Sequence, residues 1–381
     1  MNLAVVLVSD QTIPNVVYLR NLLEYGERFD KVLLITTEKM EKNNKSESVL
    51  KAVSEEFLSS DKHYKIEVKE DMIFDIKTKL KEFMKDKQFD KIFVNITGGT
   101  KIMSLTVYDF FKDVKNAIIV YLPIGSTSYK QIKPLGEDGK AIDIPIKHKM
   151  SVEEYIKALG ITIKSISKPL NIKLSRELFK KYFQHRDTFY QLTHILMNYR
   201  KKKGYKKLKE SGDLKIIDLL LKKLGLSIND FDFTTKRDWI DYFSGGWFEE
   251  YIYSEVLELK NKDCIDDVRT GIKLERKSED ARMPNEFDVM FTKDNTLNII
   301  ECKSGDLTGP QLTSTFYKVA YLNSGFGLSA NSYLAILGKS IYDKNGKIKS
   351  DIAAKSKVFR VKVIDRKTLK EKPLSEVFKC K

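Results

Sequence analysis

Apolar residues follow two different rhythms along this chain. In the first 125 residues they come in short runs: L-A-V-V-L-V (3–8), K-V-L-L-I-T (31–36), Y-K-I-E-V (64–68), K-I-F-V-N-I (91–96) and A-I-I-V-Y-L (117–122). Between them lie stretches with helical spacing, at about 14–25, onward to 58, at about 72–86 and at about 101–113. Strands rich in β-branched residues that alternate with helices predict a parallel sheet covered on both faces, a Rossmann-like doubly wound domain. Glycine, proline and mixed charge over 129–150 predict a hairpin or connecting arm, and V-E-E-Y-I-K-A-L-G (152–160) predicts a short helix ended by Gly160. The pattern is helical from about 174 to 262 and returns to strands from 265 to about 365. The expected layout is an α/β module over 1–150, a connector and helical region over 151–235, and an α+β module over 236–381.

One pair of late strands carries charges where a sheet tolerates them poorly. In N-E-F-D-V-M-F-T-K-D-N-T-L-N-I-I-E-C-K-S (285–304), Asp288, Glu301 and Lys303 interrupt apolar runs. Side chains alternate along a strand, so Leu297, Ile299, Glu301 and Lys303 share a face. A turn at Lys293–Thr296 pairs Phe291 with Asn298 and sets Asp288 opposite Glu301. Two carboxylates so placed repel unless a cation lies between them, and an oxygen-seeking divalent ion such as Mn²⁺ or Mg²⁺ resolves the conflict. Lys303 then stands ready to act on an attacking water and on developing charge. This arrangement resembles the PD-(D/E)xK, restriction-endonuclease-like motif, with Asp288 as the first acid and Glu301-Cys302-Lys303 as E-x-K; the proline that names the motif is absent. That resemblance implies a further acid on an upstream helix. G-G-W-F-E-E-Y-I-Y-S-E-V (245–256) supplies Glu249, with Glu250 close behind. It also implies catalytic roles for Glu249, Asp288, Glu301 and Lys303, a metal set of Asp288, Glu301 and Cys302, and phosphate contacts from Gln311 and Lys318.

Two strings in the first module end strands and open helices. N-I-T-G-G-T-K-I-M-S (95–104) offers a tight glycine turn and free amides that favour phosphate, without a Walker A or G-x-G-x-x-G pattern. ATP hydrolysis and NAD binding therefore lack support. V-S-D-Q-T-I-P-N (8–15) closes the first strand, and ligands of doubly wound sheets bind at such strand ends. Ser9, Gln11 and Thr12 are thus expected to share a pocket with Thr97 to Lys101.

Charge and cysteine content narrow the partners. The chain has 381 residues and a formal net charge of +15, which suits a polyanionic partner such as DNA or RNA. The run R-K-K-K-G-Y-K-K-L-K (200–209), with Tyr190 and Tyr199 nearby, is a candidate guide for a nucleic-acid backbone. Cys264, Cys302 and Cys380 lack CxxC spacing, which argues against a disulfide framework and a thiolate zinc site and suits a reducing cytoplasm. The four histidines, His63, His148, His185 and His194, show no metal spacing. No membrane span is expected.

Taken in order, V-S-D-Q-T-I-P-N, N-I-T-G-G-T-K-I-M-S and G-G-W-F-E-E-Y-I-Y ahead of the nuclease hairpin resemble the CRISPR ancillary nucleases. These join a CRISPR-associated Rossmann-fold (CARF) sensor to a restriction-like nuclease. The resemblance implies a homodimer whose sensor domains bind a cyclic oligoadenylate, cyclic tetra-adenylate above all, through Ser9, Asp10, Gln11, Thr12, Asn15, Thr97, Gly98, Gly99, Thr100 and Lys101. It further implies a metal-dependent endonuclease, cutting DNA, RNA or both, that works once the messenger is bound. A nucleotide-sensing protein without cleavage and a constitutive DNA-repair nuclease remain the alternatives.

Overall fold

The computed structural model describes residues 1–200, 204–233, 238–275, 285–327 and 330–380. Five strands, β1 (Leu3–Leu7), β2 (Lys31–Thr36), β3 (His63–Glu67), β4 (Ile92–Asn95) and β5 (Ala117–Tyr121), run parallel at the heart of the first sheet. Between them lie α1 (Ile13–Glu24), α2 (Glu38–Lys42), α3 (Lys45–Val53), α4 (Ile73–Met84) and α5 (Lys101–Phe111). The arm expected over 129–150 folds into β6 (Ser128–Lys133) and β7 (Ile142–Pro145), which extend the sheet antiparallel in the order β3-β2-β1-β4-β5-β6-β7. Alternation sends Ala4, Val6, Val32 and Leu34 into one apolar layer and Leu3, Val5, Leu33 and Ile35 into the other. Both faces are covered, which is why these strands read as unbroken apolar runs.

The segment expected as a connector belongs to both bodies. Helix α6 (Val152–Ala158), capped by Ser151 and followed by Gly160 at φ +77°, packs into the layer shared with the second sheet. The next strand, β8 (Thr162–Ser167), is the edge of that sheet, pairing with β9 (Asp267–Glu275). Then follow β10 (Asn285–Lys293), β11 (Thr296–Lys303), β12 (Asn331–Ile336) and β13 (Val361–Asp365), in the order β13-β12-β11-β10-β9-β8. The boundary expected at 236 lies outside the described residues. Helices α7 (Ile172–Tyr182), α8 (Arg186–Met197), α9 (Gly204–Glu210), α10 (Asp213–Lys223), α11 (Asp238–Asp241) and α12 (Trp247–Asn261) come before β9, and α13 (Gly309–Ser324) joins β11 to β12. Leu178, Leu192, Leu220, Trp247 and Val256 from these helices build one core with Val289, Phe291 and Ile300 of the sheet.

The two sheets are stitched at the hairpin. Asn295 accepts from Met150 N (2.7 Å) and donates to the His148 carbonyl (2.8 Å), and Thr292 Oγ1 donates to the Met150 carbonyl (2.6 Å). Ile272, Phe287, Met290 and Ile299 share an apolar layer with Ala4, Val16 and Tyr155 of the first module.

The cysteines correct one expectation. Cys264 and Cys380 form a disulfide across 116 residues, with Cα atoms 5.5 Å apart, because the C-terminal turn folds back beside the loop that precedes β9. Sequence spacing carries no trace of so long a closure. Among the described residues no helix is long and apolar enough to cross a membrane.

Candidate nuclease and sensor sites

Hairpin β10–β11 turns through Asp294 and Asn295, both in the left-handed region at φ +50° and +55°. That two-residue turn matches the natural strand twist and fixes the register. Phe291 pairs with Asn298, as the sequence predicts, and the ladder runs to Val289–Ile300. Beyond that point the Asp288 carboxylate, rather than a backbone carbonyl, takes the Cys302 N–H at 2.7 Å. Alternation also slips here, since Phe287 and Met290 enter the layer facing the first module while Val289 and Phe291 enter the helical core. Asp288 thereby comes under the influence of an acid on another element.

That acid is Glu249. A wider π-helical turn at Tyr242–Gly246 leads α11 into α12, whose first turn carries Glu249 and Glu250. The two neighbours diverge. Glu250 is buried and accepts from the Leu170 (2.5 Å) and Asn171 (2.6 Å) amides, which fastens α12 to the start of α7. Glu249 faces the hairpin acids instead. Burial lifts its carboxyl above the usual range, Lys303 draws it down and Glu301 pushes it up. Asp288 is raised well above the ordinary value, by burial first and then by Glu249 and Glu301.

Glu301 behaves differently. Burial alone would raise it, yet Lys303 (2.7 Å) and Lys318 from α13 (2.9 and 3.2 Å) hold it below the usual value. Lys303 is itself raised: burial opposes its charge, but Asp288, Glu301 and Glu249 outweigh that. It is a fixed cation and a poor base. The Cys302 thiol turns away into the helical core, and burial raises it well above its usual value. It is the main chain of Cys302 that meets the acids, its N–H donating to Asp288, so its place in the expected metal set falls to the backbone. Gln311 accepts from Thr308 N at 2.9 Å and so caps α13. Lys318 reaches the site as a partner of Glu301 that spacing alone did not assign.

The acids fit a divalent cation in kind, since carboxylates that raise one another's pKa call for a positive charge between them. Among the described residues no three such groups converge as a ready ligand set, because Glu301 is already held by two ammonium groups.

At the other end of the chain, β1 and β4 are neighbours and their following loops meet. Asn15 is fully buried; its amide donates to the Leu7 carbonyl (2.8 Å) and it accepts from Asn95 (3.0 Å). Asn95 in turn accepts from Thr97 N (3.1 Å) and Oγ1 (2.5 Å). Thr12 is also buried and donates to the Ala158 carbonyl (2.5 Å). Thr12 and Asn15 therefore shape the loops from within, a correction to their expected place on the pocket wall. Gly98 is required by contact, since a Cβ there would lie 2.1 Å from the Leu7 carbonyl oxygen. Gly99 takes φ +74°, and Thr100 caps α5 by accepting from Met103 N at 3.2 Å. Lys101 is exposed at the helix start, and Ser9 lies half-buried with its hydroxyl on the Gln11 carbonyl (3.2 Å). Asp10 and Gln11 open instead onto a cleft of about 960 Å³ that reaches Lys45, Lys157, Tyr321 and Gly327. Of the basic run, Lys201–Lys203 lie outside the described residues, and Arg200 pairs with Asp241 at 3.2 Å.

A doubly wound module fused to a restriction-like sheet, in which Glu249, Asp288 and Glu301 act on one another beside Lys303, has the layout of a two-domain nuclease. Family models bear this out: the Card1 CARF domain matches residues 3–155 and the Card1-like endonuclease domain matches residues 237–369. The chain thus belongs to the CARF-domain ancillary nucleases of CRISPR systems. No curated protein matches it in sequence. Protein VC1899 from Vibrio cholerae has a similar fold, with TM-score 0.76 and 16% identity over 99% of this chain and 97% of its own. Can2 from Sulfobacillus thermosulfidooxidans, solved in complex with cyclic tetra-adenylate, matches with TM-score 0.69 and 19% identity over 100% and 98%. A type III CRISPR defence DNA nuclease activated by cyclic oligoadenylate matches with TM-score 0.55 and 15% identity over 93% of this chain and 51% of its own.

Proposed function

We propose that this chain is a metal-dependent endonuclease, switched on by cyclic tetra-adenylate in type III CRISPR antiviral defence, which cuts DNA, RNA or both as a cytoplasmic homodimer. The observation that carries the reading is the meeting of Glu249, Asp288, Glu301 and Lys303 at one hairpin, in a chain that opens with a CARF domain. Asp288, Glu301 and the Cys302 main chain are the groups that would hold Mn²⁺ or Mg²⁺, with Glu249 assisting. Such an ion supplies Lewis-acid polarisation of the phosphodiester. Lys303, kept charged by its acidic neighbours, stabilises negative charge that grows on the phosphate. Lys318 holds Glu301 until that carboxylate is needed. Ser9, Asp10, Gln11, Thr97, Gly99, Thr100 and Lys101 remain the candidates for the messenger, with Thr12, Asn15 and Gly98 setting the loop shape.

A dimer finds support in exposed apolar side chains. Helices α4 and α5 leave Phe74 80% and Leu105 67% exposed, and Ile124 beyond β5 is 89% exposed. Large apolar side chains left bare on one module suit a two-fold contact with a second copy.

Calorimetric titration of Mn²⁺ into the protein tests the metal reading. Binding to the wild type and at least about tenfold weaker binding to Asp288→Asn and Glu301→Gln are expected. Equal affinities would remove the metal from this site.

A further inference from the structure

A slot of about 130 Å³ opens beside the acidic hairpin. Phe189 and Tyr190 of α8, Trp247 of α12, and Ser304 and Gly305 wall it, while exposed His194 and Met197 mark its mouth. Two of these walls adjoin the acidic site along the chain. Trp247 comes two residues before Glu249, and Ser304 follows Lys303 directly, one Cα step of about 3.8 Å.

The slot pairs flat aromatic walls with unanswered polar groups. The Trp247 ring lies 5.0 Å from Phe189 and 6.0 Å from Tyr182. Trp247 is 1% exposed, and its indole N–H and the Tyr190 hydroxyl are both buried without a hydrogen-bond partner. Buried donors of native proteins nearly always have partners, so two orphans in one cavity point to a ligand that brings acceptors. An apolar cavity of about 150 Å³ takes one benzene-sized ring. A ligand that is flat, one ring in size and edged with acceptors is a pyrimidine base. Lys339 Nζ, 6.0 Å from the Tyr190 ring centre, adds positive charge for the phosphate beside it.

We propose that this slot receives one pyrimidine of a single-stranded substrate, unstacked and held next to the phosphodiester that is cut. The proposal rests on the nuclease reading above and gives it a substrate class, because a base inside a duplex cannot enter without being extruded.

The chain has two tryptophans, so Trp239→Phe leaves Trp247 as its single indole reporter. In an Asp288→Asn background without divalent ion, a thymidine hexamer is expected to quench Trp247 emission. It should also bind about tenfold more tightly than an abasic hexamer, the effect of one stacked base, and more tightly than an adenosine hexamer. Tyr190→Ala should bring the thymidine hexamer down to the abasic level. Trp247→Phe, which keeps a ring and loses only the donor, should weaken it several-fold. Equal binding of abasic and thymidine hexamers, or unchanged emission, would overturn the proposal. Quenching by the thymidine hexamer in a protein that never cuts would retain the slot and remove the nuclease reading. Cutting that ignores base identity at every position near the break would do the reverse.

Discussion

Glu249 and Glu250 show how much one position decides. Both are acids in the first turn of α12, yet Glu250 accepts two amides at the start of α7 while Glu249 faces Asp288 and Glu301. Glu249→Gln is expected to lower kcat more than about a hundredfold with little change in melting temperature. Glu250→Gln should do the converse, costing about 1–3 kcal/mol as buried amides lose a charged acceptor; thermal melts beside initial rates separate the two. The raised carboxyls have a pH consequence. Asp288 and Glu249 hold protons more strongly folded than unfolded, so their own contribution to metal-free stability is fully present below the ordinary carboxylate range and is lost as pH rises through their raised values. Melts in chelator across pH should show the wild type losing ground to Asp288→Asn as pH rises, with added Mn²⁺ restoring the wild type. A melting-temperature difference between the two that does not change with pH would refute the assignment.

Among the elements, the hairpin was the most legible in sequence. A turn at Lys293–Thr296 and the alternation of side chains give the Phe291–Asn298 register that the ladder shows. The slip of alternation at Asp288 was not legible, nor was the pairing of Lys318 with Glu301, because both depend on packing between elements distant in the chain. Strand β8 was missed for a related reason: T-I-K-S-I-S has only two apolar residues, three places apart, because its register shifts between Ile163 and Ser165, so it lacks strand alternation and reads as a linker until β9 lies beside it. The glycine turn is a case where sequence signal and contact coincide. Gly98→Ala, forced 2.1 Å from the Leu7 carbonyl oxygen, should destabilise the first module by about 1–3 kcal/mol or more and abolish messenger binding. A calorimetric titration with cyclic tetra-adenylate that matches the wild type would show that the loop yields more than this packing allows.

For the whole molecule, the open matter is how a sensor moves a nuclease. Helix α13 spans the distance, with Lys318 on Glu301 in mid-helix and the Phe326 carbonyl beyond its end accepting from Tyr155 of α6 at 3.2 Å. The first module reaches Gly327 directly, since a Cβ there would stand 2.8 Å from Gln11 Oε1. A ligand that shifts Gln11 therefore has a rigid element through which to bias the Lys318–Glu301 pair, provided it binds the two arrangements unequally. Leu105→Glu on the exposed face of α5 should yield a monomer by light scattering and lose activation, leaving any basal cutting unchanged. The two-module plan and its family were legible from three ordered strings, whereas the Cys264–Cys380 bridge and the shared layer around α6 exist only in three dimensions. The most direct measurement of the central claim is the initial rate of cleavage of labelled single-stranded DNA and RNA in Mn²⁺, with and without cyclic tetra-adenylate, for the wild type and Glu301→Gln. The expected result is messenger-dependent cutting by the wild type and none by the variant; equal rates with and without messenger, or full activity in Glu301→Gln, would contradict it.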